Sequence, residues 1–351
     1  MKKRTTIYTF AALALITLAS CTKPCSSCDE PIGEAELKIE LTTQQTRSAT
    51  PPTPSQDNTI NSLDIFIFRD SAPASPDYQK LDTYKHLQGS EMENISISTT
   101  TGPKLIYVVA NDHSNTFSGV TNLTEFRKLT TSLADERLGS FTMFGEASAT
   151  LSTTSSVSVT LERFVARVAV TSIKTNFSGT PYAGKTLSDI KLYLINVHGE
   201  KLLYNSTSAS ASPLLLNPGG LIGTDANSTA EANLIYEPIS GTIDDSGTDT
   251  PHWFHCYPNT TEEISGSTKM VLQCSLDGVT YYYPIPINQP GYGYTSTNGH
   301  YGVRRNCSYS YGITITRPGS LDPDEPIVPG TLELSIGVSE WNVIPHFHKE
   351  F

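Results

Sequence analysis

The stretch Leu63-Asp64-Ile65-Phe66-Ile67-Phe68 decides the fold class. Branched aliphatic residues recur at every second position, aromatic residues stand between them, and turn formers lie on both sides. Such a run is short for a packed helix and has the composition of a strand buried in a sheet. The same reading extends outward to Leu105-Ile106-Tyr107-Val108-Val109-Ala110, to Val157-Ser158-Val159-Thr160-Leu161 and to Val165-Ala166-Arg167-Val168-Ala169-Val170. A second series follows at Ile190–Val197, Met270–Ser275, Val279–Ile287 and Ser308–Thr316. Thr, Ser, Tyr, Gly and Pro are plentiful and charged residues make only 17% of the chain, which suits many short strands joined by turns. The expectation is an all-β chain.

One helix is expected among the strands, over about residues 122–134. Asn122 and Glu125 can form a capping box, and Leu123, Phe126, Leu129 and Leu133 recur at helical spacing. Residues 205–250 are polar and rich in Ser, Gly, Asn and Asp, and read as long surface loops. The chain is too long for one ordinary domain, so two are expected, divided near Leu161–Ala169 and bounded as 48–163 and 164–320. Leu321-Asp322-Pro323-Asp324-Glu325-Pro326 then reads as a proline-broken linker, opening a terminal segment, 321–351, that holds one more strand.

The first residues carry an export address. Lys2, Lys3 and Arg4 precede an apolar run from Ile7 to Leu18, and small residues in Leu18-Ala19-Ser20 lead directly to Cys21. The run is too short to span a bilayer comfortably, since a helix needs about 20 apolar residues. Residues 1–20 therefore read as a signal peptide and 21–47 as a leader. The cysteine resembles that of a bacterial lipobox, which implies lipid on Cys21, cleavage before it and a membrane tether. Cys25 and Cys28 lie in the same Ser-rich leader without the βαβ pattern of a redox motif. Cys256, Cys274 and Cys307 sit among strand-like residues, where buried thiols are the default, although one disulfide among them stays open.

Composition narrows the chemistry. The net charge of −11 and the scattered Lys and Arg after the leader make nucleic acid and anionic headgroups poor partners. No Gly-rich phosphate loop or nucleophile elbow is present, so no catalytic residue, no enzyme activity and no cofactor are expected. His252 and His255 flank the Pro251-His252-Trp253-Phe254-His255-Cys256 stretch and read as exposed loop histidines beside a core cysteine rather than as metal ligands. His346 and His348 can share a strand face, but Pro345 argues against a regular strand there. A competing reading is a surface glycan-binding lipoprotein, using Trp253, Phe254, Tyr257 and Tyr281-Tyr282-Tyr283 as a stacking platform. Aromatic residues at that density are more often core or cross-strand pairs.

Two strands at opposite ends of the chain have the same pattern. Leu37, Ile39 and Leu41 alternate with charged residues, and Leu332, Leu334, Ile336 and Val338 alternate with small or polar ones. Either can lay apolar side chains into one groove while offering its backbone to flanking strands. Directly after the first comes a polar, proline-ended stretch, residues 43–52, whose single basic residue is Arg47. Such loops are where proteases cut. A cut between Arg47 and Ser48 frees the first strand with its lipid and leaves a groove that the last strand of another copy can fill. Strand addition of this kind is a head-to-tail contact that repeats without closing, so the product is a fibre.

These stretches, taken in order, resemble the fimbrillins of the type V pilus class, the major fimbrial subunit family. The resemblance is carried by the lipobox, the strand Glu34–Leu41, Thr46-Arg47-Ser48, Leu63–Phe68 and Leu105–Asn111. It continues through Glu162-Arg163-Phe164-Val165-Ala166-Arg167, Arg305-Asn306-Cys307-Ser308-Tyr309, Ile313–Thr316, Pro318-Gly319 and the terminal Leu332–Trp341. It implies two transthyretin-like β-sandwich domains, completed by donor-strand exchange after an arginine-specific protease cuts at Arg47. Expected partners are other copies of the chain and related pilus subunits, in a fimbrium at the cell surface that supports adhesion. The precursor would be held at the outer membrane through Cys21. The resemblance also covers a pilus anchor, which keeps its N-terminal strand, or a minor tip subunit.

Overall fold

The computed structural model describes residues 33–43, 57, 59–204, 214–215, 234–296, 299–325, 327, 332–340 and 346–347. Within these the chain is built of strands, as the alternation predicts, and the longer ones are numbered here in chain order.

The first group comprises β1 (Glu34–Thr43), β2 (Ser62–Arg69), β3 (Leu81–Gln88), β4 (Ile95–Thr100), β5 (Gly102–Ala110), β6 (Met143–Leu151) and β7 (Thr154–Arg163). They form one sheet in the order β3-β2-β5-β6-β7-β1-β4. Its continuity at the centre is slight, because β6 and β7 pair only at Met143 with Arg163 and Phe144 with Glu162. Beyond that point the hairpin splays, so β3-β2-β5-β6 and β7-β1-β4 face one another as the leaves of a sandwich. Gly145 stands where they part: a Cβ there would lie 2.4 Å from the Thr160 carbonyl oxygen and 2.7 Å from Val159 Cγ1. Leu63, Ile65 and Ile67 of β2 fill the space between the leaves with Ile106, Val108, Leu37, Ile39, Ile97 and Val159.

The opposite face of β2 is buried too. Phe66 and Phe68 pack against Phe117 and Phe126, with Phe66 and Phe126 ring centroids 4.8 Å apart. This second cluster continues into the next group of strands. Asp64 is the polar exception in the run, and its carboxylate accepts from Tyr84 at 2.7 Å and pairs with His86 Nδ1 at 2.8 Å.

The chain leaves the first group at Arg163 and enters the second at Ala166. The second group holds β8 (Ala166–Thr175), β9 (Leu187–Ile195), β10 (Tyr236–Ile239), β11 (His252–Cys256), β12 (Lys269–Leu276), β13 (Val279–Pro286), β14 (Cys307–Ile315) and β15 (Leu332–Glu340). These make two four-stranded sheets, β11-β8-β14-β15 and β10-β9-β12-β13. Val168, Leu192, Leu272, Tyr283, Tyr309 and Ile313 belong to the core that they share.

The expected helix is one turn, α1 (Leu123–Phe126). Half of the expected capping box forms: the Asn122 side chain accepts from the Glu125 amide at 3.0 Å, whereas the Glu125 carboxylate accepts from the amide of Thr121, one residue before the N-cap, at 2.7 Å. The helix does not continue because Thr130–Ser132 pairs as a strand with Glu200–Leu202. β-branched residues with a strand partner take the extended form over helical propensity. The expected loop region 205–250 likewise contains a strand, β10, paired with β9; residues 205–213 and 216–233 lie outside the described residues.

Candidate functional site

Strand β1 fills a slot inside the first sandwich. It runs antiparallel to β4, with Leu37 opposite Ile97, and parallel to β7, with Leu37 opposite Ser155. Ala35, Leu37 and Ile39 are buried, while Glu36, Lys38 and Glu40 between them are exposed. Leu41 packs against the same core and is partly buried. Leu37 and Ile39 together contribute about 3–6 kcal/mol of apolar burial. An inner strand also carries two ladders, so taking β1 away opens the core and leaves the edges of β4 and β7 without partners.

The expected lipid site, Cys21, and the expected cleavage pair, Arg47 and Ser48, lie outside the described residues, as do Cys25 and Cys28. Ten residues beyond Arg47 stands Asp57, which is buried in a polar cluster that sequence reading did not single out. Its carbonyl oxygen accepts from Arg163 Nε at 2.7 Å. Its carboxylate lies 3.7 Å from Arg167 Nη1 and 3.7 Å from His255 Nε2. Arg163 also donates to Asn306 Oδ1 at 3.1 Å, and Arg167 Nε to Ser308 Oγ at 3.0 Å. The Arg167 guanidinium stands 4.9 Å from the Trp253 ring centroid, a cation–π contact.

Burial works against the charge of Arg163 and Arg167, and the Asp57 carboxylate supports it. Burial, with the two guanidinium groups, lowers the pKa of His255 although Asp57 raises it, so the imidazole is neutral at neutral pH. Asn111, at φ +57°, holds the next residues. Its Oδ1 accepts from the Asn61 amide at 2.7 Å and its Nδ2 donates to the Thr59 carbonyl at 2.8 Å. The chain after the expected cut is thus fastened to the body at 57, 59 and 61, independently of β1.

This cluster corrects the reading of His252 and His255 as exposed loop residues. Both are buried on β11, on opposite faces of the strand, and His255 packs on Phe141 with ring centroids 4.6 Å apart. Local spacing cannot show that an aromatic wall and a distant carboxylate will cover an imidazole.

At the other end, β15 pairs antiparallel with β14. Leu332 stands opposite Ile315, Leu334 opposite Ile313, Ile336 opposite Tyr311 and Val338 opposite Tyr309. The strand read as a donor to another copy is therefore the edge strand of its own sheet. The linker is fastened as well: the buried Lys269 ammonium pairs with the Asp324 carboxylate and donates to the Asp324 carbonyl at 3.3 Å. Ser320 and Tyr282 exchange backbone bonds of 2.9 Å, and Tyr283 donates its hydroxyl proton to the Arg317 carbonyl at 2.8 Å.

The aromatic residues weighed as a sugar platform do not share a surface. Phe254, Tyr257 and Tyr283 are fully buried, Tyr281 packs against the same core on the Tyr283 face, and Trp253 and Tyr282 lie on the opposite faces of their strands. Cys256, Cys274 and Cys307 are buried and no disulfide joins them. Burial pushes the Cys256 and Cys274 thiols up to about 12. Of the residues that sequence reading missed, only β4 had a local signal, the alternation of Ile95, Ile97 and Thr99. Asp57, Lys269 and Asp324 had none.

Residues 35–197 match the family described as Major fimbrial subunit protein (FimA). Over 342 residues the chain is 25% identical to the major fimbrium subunit FimC of Porphyromonas gingivalis, covering 92% of this chain and 69% of that protein. Its fold is shared with a candidate cell adhesion protein from Bacteroides eggerthii, at TM-score 0.66 and 18% identity over 91% of this chain and 99% of that one. It is shared too with a fimbrilin (FimA) from Porphyromonas gingivalis W83, at TM-score 0.62 and 15% identity over 88% and 98% of the two chains. With an all-β sandwich fold and this match over residues 35–197, the chain resembles the major fimbrial subunit protein family.

Proposed function

We propose that the chain is a structural subunit of a cell-surface fimbrium that polymerises by exchanging β1 for the β15 segment of a second copy. In this reading it is exported as a lipoprotein through Cys21, held at the outer membrane, and cut between Arg47 and Ser48 by an arginine-specific protease. The body divides into domains 48–163 and 164–320, with 321–351 as linker and donor strand. Its partners are copies of itself and related fimbrial subunits, and its role is assembly and adhesion rather than catalysis.

The observation that carries the reading is the position of β1. It is an inner strand between β4 and β7, yet the body is fastened separately at Asp57 through Arg163. Removing residues up to 47 therefore removes one strand and leaves the anchor of the remaining chain in place. The vacated slot needs alternating apolar residues of the kind found at Ala35, Leu37, Ile39 and Leu41, and Leu332, Leu334, Ile336 and Val338 repeat that spacing.

N-terminal sequencing of polymeric and monomeric fractions from the cell surface tests the proposal. Polymer beginning at Ser48 is the expected result. Polymer whose subunits all retain residues 21–47 would overturn it.

A further inference from the structure

Strand β1 is held unevenly along its length. Glu34–Ile39 faces β4, from Glu34 opposite Thr100 to Ile39 opposite Ile95. The ladder with β7 starts later and runs further, from Glu36 opposite Thr154 to Thr43 opposite Leu161. Glu40–Thr43 is thus paired with β7 alone among the described strands. Beside this end a cleft opens, lined by Lys38–Leu41 on one side and Met92–Ser96 on the other. Its base is apolar, because Met92 and Ile95 are buried in the core that holds Leu37 and Ile39. Its rim is exposed at Glu93 and Asn94. The open end is also the end of β1 that leads toward Arg47.

We infer that this cleft, between Leu41 and Met92–Asn94, is where the C-terminal strand of a second copy first engages, before β1 has left. The inference rests on the strand-exchange reading and adds the order of events to it. Losing β1 first would expose its core contacts and two strand edges to water at once, which is costly for apolar surface and for unpaired backbone alike. Displacement from the open end exchanges one ladder pair and one side chain at a time, so the sandwich stays covered. The occupant is indicated by pattern: four apolar residues at every second position, 332 to 338, against four at 35 to 41. The residues between them, Glu333, Ser335 and Gly337, are polar or small, like the solvent-facing Glu36, Lys38 and Glu40 of β1. A new strand entering here also finds the backbone of Glu40–Thr43 without a β4 partner, which is a template for pairing.

The test uses the chain from residue 22 onward, cut by an arginine-specific protease and kept dilute. An excess of a synthetic peptide covering residues 328–341 is added, and release of the β1 fragment is followed by mass spectrometry after size separation. Release should accelerate in proportion to peptide concentration. Asn94→Trp, which fills the exposed rim, should slow release about tenfold while leaving the melting temperature of the uncut protein unchanged. Release at a rate independent of peptide, followed by capture of the peptide, would overturn the entry site and leave strand exchange standing. Concentration-dependent release that Asn94→Trp does not slow would place entry elsewhere and overturn it equally. Failure of the body to take up the peptide at any concentration would overturn strand exchange and this inference together.

Discussion

The Tyr257 hydroxyl donates to the Glu136 carboxylate at 2.8 Å, joining the second group of strands to the first, and both residues are buried. The other carboxylate oxygen of Glu136 accepts from the Thr142 amide at 2.9 Å. Burial pushes the Glu136 carboxyl up to about 7, against the pull of these hydrogen bonds. The contact therefore ties the join between the two groups of strands to the pH of the surroundings.

Because the pKa of Glu136 is raised on folding, its contribution to stability is full below the unfolded value of 4.5 and is lost as pH rises toward about 7. The loss is on the order of 3 kcal/mol. Glu136→Gln removes this titration, and Tyr257 can turn its hydroxyl to Thr131 Oγ1, 3.2 Å away, while accepting from the new amide. Denaturant unfolding at pH 5 and pH 8 should show the variant gaining on the wild type between the two. An equal pH response in both proteins would contradict it.

Asp82 should act in the opposite sense. Burial pushes its carboxyl up, but hydrogen bonds from Thr100, Thr99, Arg69 and Lys104 together hold it well below the usual carboxylate range. Its stabilisation is present above the unfolded value of 3.8 and is lost as pH falls through the folded one, so it belongs to the acid limb. Asp82→Asn should cost about 3–5 kcal/mol at pH 7, because it leaves Lys104 buried without its 3.1 Å counter-charge. Unfolding curves of both proteins at pH 7 and pH 3 should show this deficit shrinking at the lower pH.

The pairing of Lys269 with Asp324 sets where the C-terminal segment begins to move. Asp324→Ala should raise hydrogen exchange at residues 317–325 and destabilise the fold by about 1–3 kcal/mol, since a buried ammonium loses its partner. Adding Lys269→Met should recover stability without restoring protection of the linker. Exchange mass spectrometry with a parallel melting curve separates the two effects.

Leu37→Ala should cost the uncut protein about 2–5 kcal/mol, as a fully buried side chain between β4 and β7. If β1 is discarded on assembly, fibres made from this variant should match wild-type fibres in resistance to heat and detergent. Fibres weakened to the same degree as the uncut protein would show that β1 stays in place.

Much of the fold was legible because alternation is local. Leu63, Ile65 and Ile67 point one way along β2 and Phe66 and Phe68 the other, and both faces are buried. The helix over 122–134 was misjudged past its first turn. Leu129 and Leu133 keep the helical spacing, but Thr130–Ser132 finds a strand partner some seventy residues away, which no local window contains. His255 of β11 was misplaced for the same reason, since its burial comes from Phe141 and Asp57.

The sequence by itself determined which residues can line one face of a strand, and so that the chain is all-β and that its two ends carry strands of the same pattern. Only the tertiary structure decided that β1 lies between β4 and β7, that its last residues are held on one side, and that β15 rests against β14. It alone brought Asp57, Arg163, Arg167 and His255 together. Side-chain alternation records which face of a strand is buried. Pairing partners and buried charge clusters depend on residues far apart in the chain, and become defined only when loops close and low-dielectric surroundings make each unpaired group costly.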